Sequence, residues 1–387
     1  MSHTPRPMHT PFWTPGVIVL AVLMLIGFAC IAARYIGGLG YATNLDNSNP
    51  WGLWIGVDVA SGVALAAGGF TTSFLAHILG RHKYEAVLRP ALLTAALGYT
   101  FVAFGVFLDI GRSWAIWKPM LNWNFNSALF EVAMCVMAYL TVLYIEFFPV
   151  VAEQFGKRFK LLASLDRMLA PAMWVFIILG VVLSCMHQSS LGTLMLLAPT
   201  KVHPLWYTPL LPLLFLLSAF SVGYPMVIFE TGLATKSLKL ESEMEILGPL
   251  SRWTILTLGT YMAVKIGDMI VRGTYVYLLD GTAQSNAFII EVLFGVIVPW
   301  LMLLSPRVRS SRGLLFSAAT MIVLGVLINR INVFTVAYKA PVTHTSYFPS
   351  VPEIAITVGL IATLMFLYRI VVTWLPVIGA QKREVKS

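Results

Sequence analysis

Between Arg89 and Ile110 the chain reads RPALLTAALGYTFVAFGVFLDI, charged only at Arg89 and Asp109. The uncharged stretch is about as long as the ~20 residues an α-helix needs to cross ~30 Å of hydrocarbon. Lipid offers the backbone no hydrogen bond, and a helix satisfies its own amides and carbonyls. The stretch is therefore predicted to be a transmembrane helix. Comparable runs lie at residues 15–36, 51–79, 126–150, 167–188, 205–234, 250–272, 286–304, 312–336 and 352–376. The first is too long for a signal-peptide core and is flanked only by Arg6, so it is kept as a helix without cleavage.

Composition agrees. Of 387 residues 58% are hydrophobic and 11% charged, with a mean hydropathy of +0.81. Soluble domains are about one quarter charged, and one globular core could not bury this much apolar surface. The predicted fold class is all-α: a polytopic membrane protein with about ten transmembrane helices, residues 1–387 forming one integral membrane domain. Cys30, Cys135 and Cys185 all fall in apolar runs, without a CxxC or CxxCH, so no disulfide framework, zinc site or c-type haem attachment is indicated.

The net charge of +9 is scattered between the apolar runs, which argues against nucleic acid and for topology signals. Seventeen Lys and Arg fall in the termini and the loops on their side, six in the opposite loops, and Lys265, Arg330 and Arg369 within spans. The positive-inside rule then puts both termini in the cytoplasm of a cell inner membrane. Loops 37–50, 111–125, 189–204, 273–285 and 337–351 face outward, near the interface aromatics Trp51, Trp54, Trp114, Trp117, Trp123, Trp206 and Tyr207.

An internal repeat is visible. Asp109-x-x-Arg112 is followed by Asn126 and Glu131, and Asp268-x-x-x-Arg272 by Asn286 and Glu291. Arg to Glu is 19 residues in both, and the offset of 160 residues spans four helices. An even number of helices makes the copies parallel, which predicts two four-helix bundles plus flanking helices.

Ionisable residues within the spans are costly and mark candidate sites. Asp58, Asp109, Glu131, His187, Lys265, Asp268, Glu291 and Arg330 gather toward the outward ends; His77, Glu146, Glu230 and Arg369 lie toward the cytoplasm. Pairing of Asp109 with Arg112 at a helix end is an equal alternative to function. Lys265 and Asp268, one turn apart, read as an intrahelical pair. His77 and Arg369 read as snorkelling to the cytoplasmic surface. Glu131, about five residues into its helix, has no same-helix partner and is the leading proton-exchange residue. A b-type haem wants axial His at one depth. Here His3 and His9 are in the tail, His82 and His344 in loops, His77 at an inner end, and His187 and His203 at the outer surface, so no haem or metal is expected in this chain.

Pro50-Trp51-Gly52-Leu53-Trp54, Leu108-Asp109-Ile110-Gly111-Arg112, Phe130-Glu131, Met186-His187-Gln188-Ser189-Ser190-Leu191-Gly192 and His203-Pro204-Leu205-Trp206 resemble the NrfD/PsrC family of membrane subunits. The HPLW stretch and the length look most like its HybB branch, which includes the hydrogenase-2 membrane subunit and the HmcC-type subunit. The resemblance implies a respiratory subunit that holds a multi-cluster ferredoxin-like iron–sulfur protein, with a periplasmic hydrogenase or multihaem cytochrome c as partner. It also implies exchange of electrons with menaquinone near the outer face. The implied quinone surroundings are Trp51, Trp54, Asp109, Arg112 and His203, with Glu131, Asp58 and His187 handling protons. Glu146, Glu230 and Glu291 are candidates for a proton path, and turnover could then build a gradient. Two other readings fit: a cofactor-free anchor joining periplasmic and cytoplasmic redox proteins, and a secondary transporter.

The 17-to-6 basic asymmetry carries a direct test. Alkaline phosphatase fused to the C-terminus is expected to be inactive and a fluorescent-protein fusion bright. The opposite pattern would reverse the orientation.

Overall fold

The structure, a computed structural model, describes residues 5–8, 11–241, 243–339 and 347–379. His3, His9, His344 and the basic tail residues Lys382, Arg383 and Lys386 lie outside them. Among the described residues ten helices are long and apolar enough to cross a membrane: α1 (Pro15–Gly37), α2 (Trp54–Ile78), α3 (His82–Asp109), α4 (Ala128–Phe155), α5 (Lys160–Leu196), α6 (Leu211–Leu238), α7 (Met244–Val271), α8 (Ala283–Leu304), α9 (Arg312–Val336) and α10 (Val351–Trp374). No β-strand occurs among the described residues. With ten such helices the end of α10 lies on the face where α1 starts, the terminal face; the other is the distal face.

Helix starts follow local capping chemistry. Thr14 Oγ1 accepts from Val17 N ahead of Pro15, Ser127 Oγ accepts from Phe130 N, and Ser350 forms a reciprocal capping box with Glu353. Several boundaries differ from the hydropathy reading: α3 starts at His82 and α7 at Met244, each ahead of its expected start, and α4 runs on to Phe155. Helix α6 begins at Leu211 rather than near 205, because Pro204 and Pro209 lack an amide hydrogen and His203–Tyr207 fold into turns, with Trp206 N and Tyr207 N donating to His203 O. Helix α5 is longer than 167–188. Its first part, Lys160–Leu169, mixes charged and apolar residues as a surface helix does, and a tight turn at Ala170–Ala172 leads into Met173–Leu196.

Helices α2–α5 form one bundle, each packed on the next and α5 back on α2; α6–α9 form a second in the same order. The contacts between bundles obey the repeat: α5 lies on α6 as α9 lies on α2, with α2 and α6 together at the centre. Burial follows that placement, since 83% of the best apolar window of α2 is buried and only 11% of that of α1. Between helices in lipid there is no hydrophobic drive, so small residues allow close approach instead. Ala60, Ala64, Ala67 and Ala219 serve this at the centre. Outside the bundles α1 and α10 pair tightly and rest on α3. A methyl group added to Gly27 would come within 2.7 Å of Gly359 Cα, so both positions require glycine. Wider π-type turns interrupt α2 at Trp54–Ser61 and Phe74–Ile78, α8 at Leu293–Ile297 and α9 at Asn332–Val336. Such turns concentrate at functional positions.

Candidate functional site

The distal end of the second bundle holds a closed polar network. Glu291 of α8 is 1% exposed and accepts from Trp206 Nε1 at 2.8 Å, Asn329 Nδ2 at 2.7 Å, Asn332 Nδ2 at 2.9 Å and the ammonium of Lys265. Lys265 Nζ also donates to Tyr261 Oη. Arg330, wholly buried, donates to Asn329 Oδ1 at 2.6 Å and Ser218 Oγ at 2.7 Å and lies 3.7 Å over the Phe215 ring. The expected Lys265–Asp268 pair is not formed: Lys265 turns to Glu291, while Asp268 binds Arg272 at 2.9 Å and accepts from Thr208 Oγ1. Arg272 is further held by the carbonyls of Pro204 and Tyr207. Four donors occupy Glu291, which leaves it a structural counter-ion.

His203 belongs to this end as a loop residue. Its amide donates to Ala337 O, its Nδ1 accepts from Leu205 N, and the turn it closes carries Trp206 onto Glu291. Burial and the nearby Lys339 push its imidazole below the usual range, with Asp280 opposing. Trp51 packs beside it in the fold, against Phe334 and Tyr338.

The first bundle is arranged differently. Glu131, in the first turn of α4, is exposed, and Ser190 Oγ of α5 donates to it at 2.5 Å while also donating to Met186 O. Deeper between α3, α4 and α5, the Tyr99 and Tyr139 rings meet edge to face at 4.5 Å, and His187 lies 5.5 Å from Tyr99. Ser184 stands beside both phenols. Tyr99 Oη, Tyr139 Oη, Ser184 Oγ and His187 Nδ1 are all buried; Ser184 is the hydrogen-bonding neighbour shared by both phenols, with less than full geometry, and His187 Nδ1 has no partner among the described residues. Buried polar groups are normally satisfied, and one hydroxyl shared by two phenols beside an open imidazole nitrogen leaves bonding capacity that water or a polar ligand would complete. His187 is thus not at the distal surface as the sequence suggested: it lies nine residues inside the end of α5, roughly 14 Å down, and is 1% exposed.

A third group lies where α2 and α3 meet α1 and α10. Thr357 Oγ1 donates to Asp58 Oδ2 at 2.7 Å. Glu353, fully buried, accepts from Asn44 N, Ser350 N and Tyr347 Oη, while its carbonyl takes Trp54 Nε1 at 3.3 Å. Arg34 caps the end of α3 through Leu108 O and Ile110 O. Asp109 Oδ1 is buried without a partner, near Arg34 and Glu353. Arg112 is exposed and forms no ion pair among the described residues, so the alternative pairing with Asp109 is absent.

The sequence-derived residues therefore fall into separate places. Glu131 and His187 share the α3–α5 interior; Asp58, Asp109 and Trp54 share the junction with α10; Trp51 and His203 share the distal end of the second bundle. On the terminal half, Glu146 lies over Gly180 of α5, and Glu230 stands between Thr94 and Tyr368. Sequence reasoning missed Tyr99, Tyr139 and Ser184. The available signal was a lone tyrosine hydroxyl in the middle of an apolar span, which needs a partner.

The Glu291 network sets a stability test. Lys265→Met removes the counter-charge of a buried carboxylate, a loss of about 3–5 kcal/mol. Thermal unfolding in detergent is expected to drop sharply for Lys265→Met and to recover in part for Lys265→Met/Glu291→Gln. Equal unfolding of wild type and single variant would remove the pair as a structural element.

Comparison with known proteins gives the same lineage along the whole chain. The polysulphide reductase NrfD family profile matches residues 42–341. A protein of Nitratidesulfovibrio vulgaris is 36% identical over 94% of this chain and 95% of its own length. The probable Ni/Fe-hydrogenase 2 b-type cytochrome subunit of Escherichia coli is 32% identical over 99% and 97%. The menaquinone reductase integral membrane subunit of Nitratidesulfovibrio vulgaris is 28% identical over 92% and 90%. With the ten-helix fold and the motifs around Glu131, His187 and His203, these matches show that the chain belongs to the polysulphide reductase NrfD family.

Proposed function

We propose that this chain is the quinone-reactive membrane subunit of a respiratory oxidoreductase complex. It exchanges electrons between a redox partner on the distal face and menaquinone held at the α3–α5 interior. The orientation is that of an inner-membrane protein with cytoplasmic termini, so the distal face is periplasmic. One observation carries the reading: beneath Glu131, two buried phenols, Tyr99 and Tyr139, share the single hydroxyl of Ser184 beside a His187 Nδ1 that has no partner among the described residues. A quinone ring has two oxygens to offer such groups, and its tail is suited to the surrounding lipid. The names of the relatives, a menaquinone reductase subunit and a hydrogenase subunit, point to the same ligand and partner class. The partner is an iron–sulfur subunit with a hydrogenase or multihaem cytochrome c behind it.

Reduction of a quinone takes two electrons and two protons. The partner supplies the electrons. Within this chain the phenols of Tyr99 and Tyr139 and the His187 ring orient the quinone oxygens. Glu131, exposed and held by a single hydroxyl, exchanges protons with the distal surface. Arg112, exposed beyond the end of α3 and without an ion pair among the described residues, offers positive charge to the electron-donating partner.

Turnover with a menaquinone analogue, in membranes at matched subunit levels, tests the assignment. Glu131→Gln, nearly isosteric but unable to ionise, is expected to lose at least ~10-fold. Arg112→Ala is expected to lose quinone-linked turnover while the complex still assembles. Glu291→Gln, measured per folded subunit, should cost much less. Full activity of Glu131→Gln would remove the proposed proton exchanger.

A further inference from the structure

A cavity of about 570 Å³ lies away from the distal site, between the α1–α10 pair and the centre of the two bundles. It runs along α10 from Leu360 to Val372, about 18 Å of helix. Its wall is mostly carbon, from side chains such as Leu20, Phe101, Phe229 and Met365. Protein interiors leave few voids larger than a water, and an apolar cavity does not hold water. In a membrane protein a space of this size and lining is filled by a hydrocarbon chain.

One end carries a cluster of buried polar side chains. Glu230 of α6 stands between Thr94 of α3 and Tyr368 of α10, and all three line the cavity. Thr94 and Tyr368 are the hydrogen-bonding neighbours of the buried Glu230, with less than full geometry, so each keeps capacity for a further partner. Depth decides what head they suit. Glu230 is eight residues inside the end of α6 and Tyr368 six residues inside the end of α10, roughly 9–12 Å from the terminal face. Arg369, next to Tyr368, also lines the cavity, but its guanidinium donates to Pro11 O at 2.9 Å, ahead of the start of α1. At the level of Glu230 a charged phosphate would meet a carboxyl group, whereas an uncharged ring with two oxygens suits it. A small pocket of about 30 Å³ adjoins the same Glu230 and Tyr368 and reaches Glu241 and Glu243 at the terminal face. It has room for one or two waters, enough to connect Glu230 with that face.

We propose that this cavity is a second quinone site: an isoprenoid quinone or quinol lies in it, its ring on Glu230, Tyr368 and Thr94 and its tail along α10 toward Leu360. The ligand class rests on the quinone reading given above, but the place and residues are separate from it. Photo-labelling of the purified full-length protein with an azido-menaquinone analogue, followed by peptide mapping, tests it. Label is expected on peptides from the terminal halves of α6 and α10 as well as from α3–α5. Leu364→Trp, which fills the cavity, should abolish the α6 and α10 label. Tyr368→Phe, which changes no packing volume, should weaken binding there about fivefold, the loss expected for one hydrogen bond. Glu131→Gln should leave that label intact. Label confined to α3–α5, α6 and α10 label indifferent to both Leu364→Trp and Tyr368→Phe, or phospholipid as the sole amphiphile recovered, would overturn the second site. No label anywhere would overturn the distal reading as well.

Discussion

Glu291 gathers donors from α7, from two turns of α9 and from the loop ahead of α6, so one carboxylate closes the second bundle and fixes its distal cap. Hydrocarbon supplies no hydrogen bonds, and a polar group inside it must find partners within the protein. That constraint shapes the surroundings. The π-type turn of α9 at Asn332–Val336 brings a second asparagine onto the carboxylate, and the His203–Tyr207 turns deliver an indole N–H to it. Arg330 joins through Asn329, so the charge of the network is spread over several helices.

The repeat makes the two bundles comparable position by position, and their chemistry has diverged. Arg272 is locked by Asp268 and by loop carbonyls, while its counterpart Arg112 is exposed and open. Glu291 is surrounded by donors, while Glu131 holds a single serine. Where the second bundle places Lys265, the first has Gly105, and the space is taken by Asp58, whose Cβ lies 3.0 Å from where a side chain at 105 would begin. Asp58 in turn matches Ser218, the hydroxyl that takes Arg330. One half has its charges neutralised as structure; the other keeps them available.

Helices α1 and α10, outside the repeat, do more than flank it. They meet through Gly27 and Ala355–Gly359 with hardly a gap, and together they wall the long cavity between themselves and the bundles. Asp58, held by Thr357 of α10, stands at one end of that cavity and Glu230, beside Tyr368 of α10, at the other. Both polar ends of the space therefore depend on a helix that the repeat did not supply.

Helix number, class, even crossing count and the parallel repeat were legible in the residues, because hydropathy and spacing along one chain determine them. Glu131 and Glu291 were also legible as unequal copies, since only the first stood among family motifs. What could not be read was partnership. Lys265 lies one turn from Asp268, yet its partner is Glu291, 26 residues on, because the helix faces of a bundle bring distant segments nearer than neighbours on one surface. The depth of His187, the gathering of Tyr99, Tyr139 and Ser184 around it, and the cavity between α10 and α6 likewise arise only when helices are rotated and packed. Sequence specifies which groups are costly in lipid; tertiary packing decides which of them are satisfied and which are left open for a ligand.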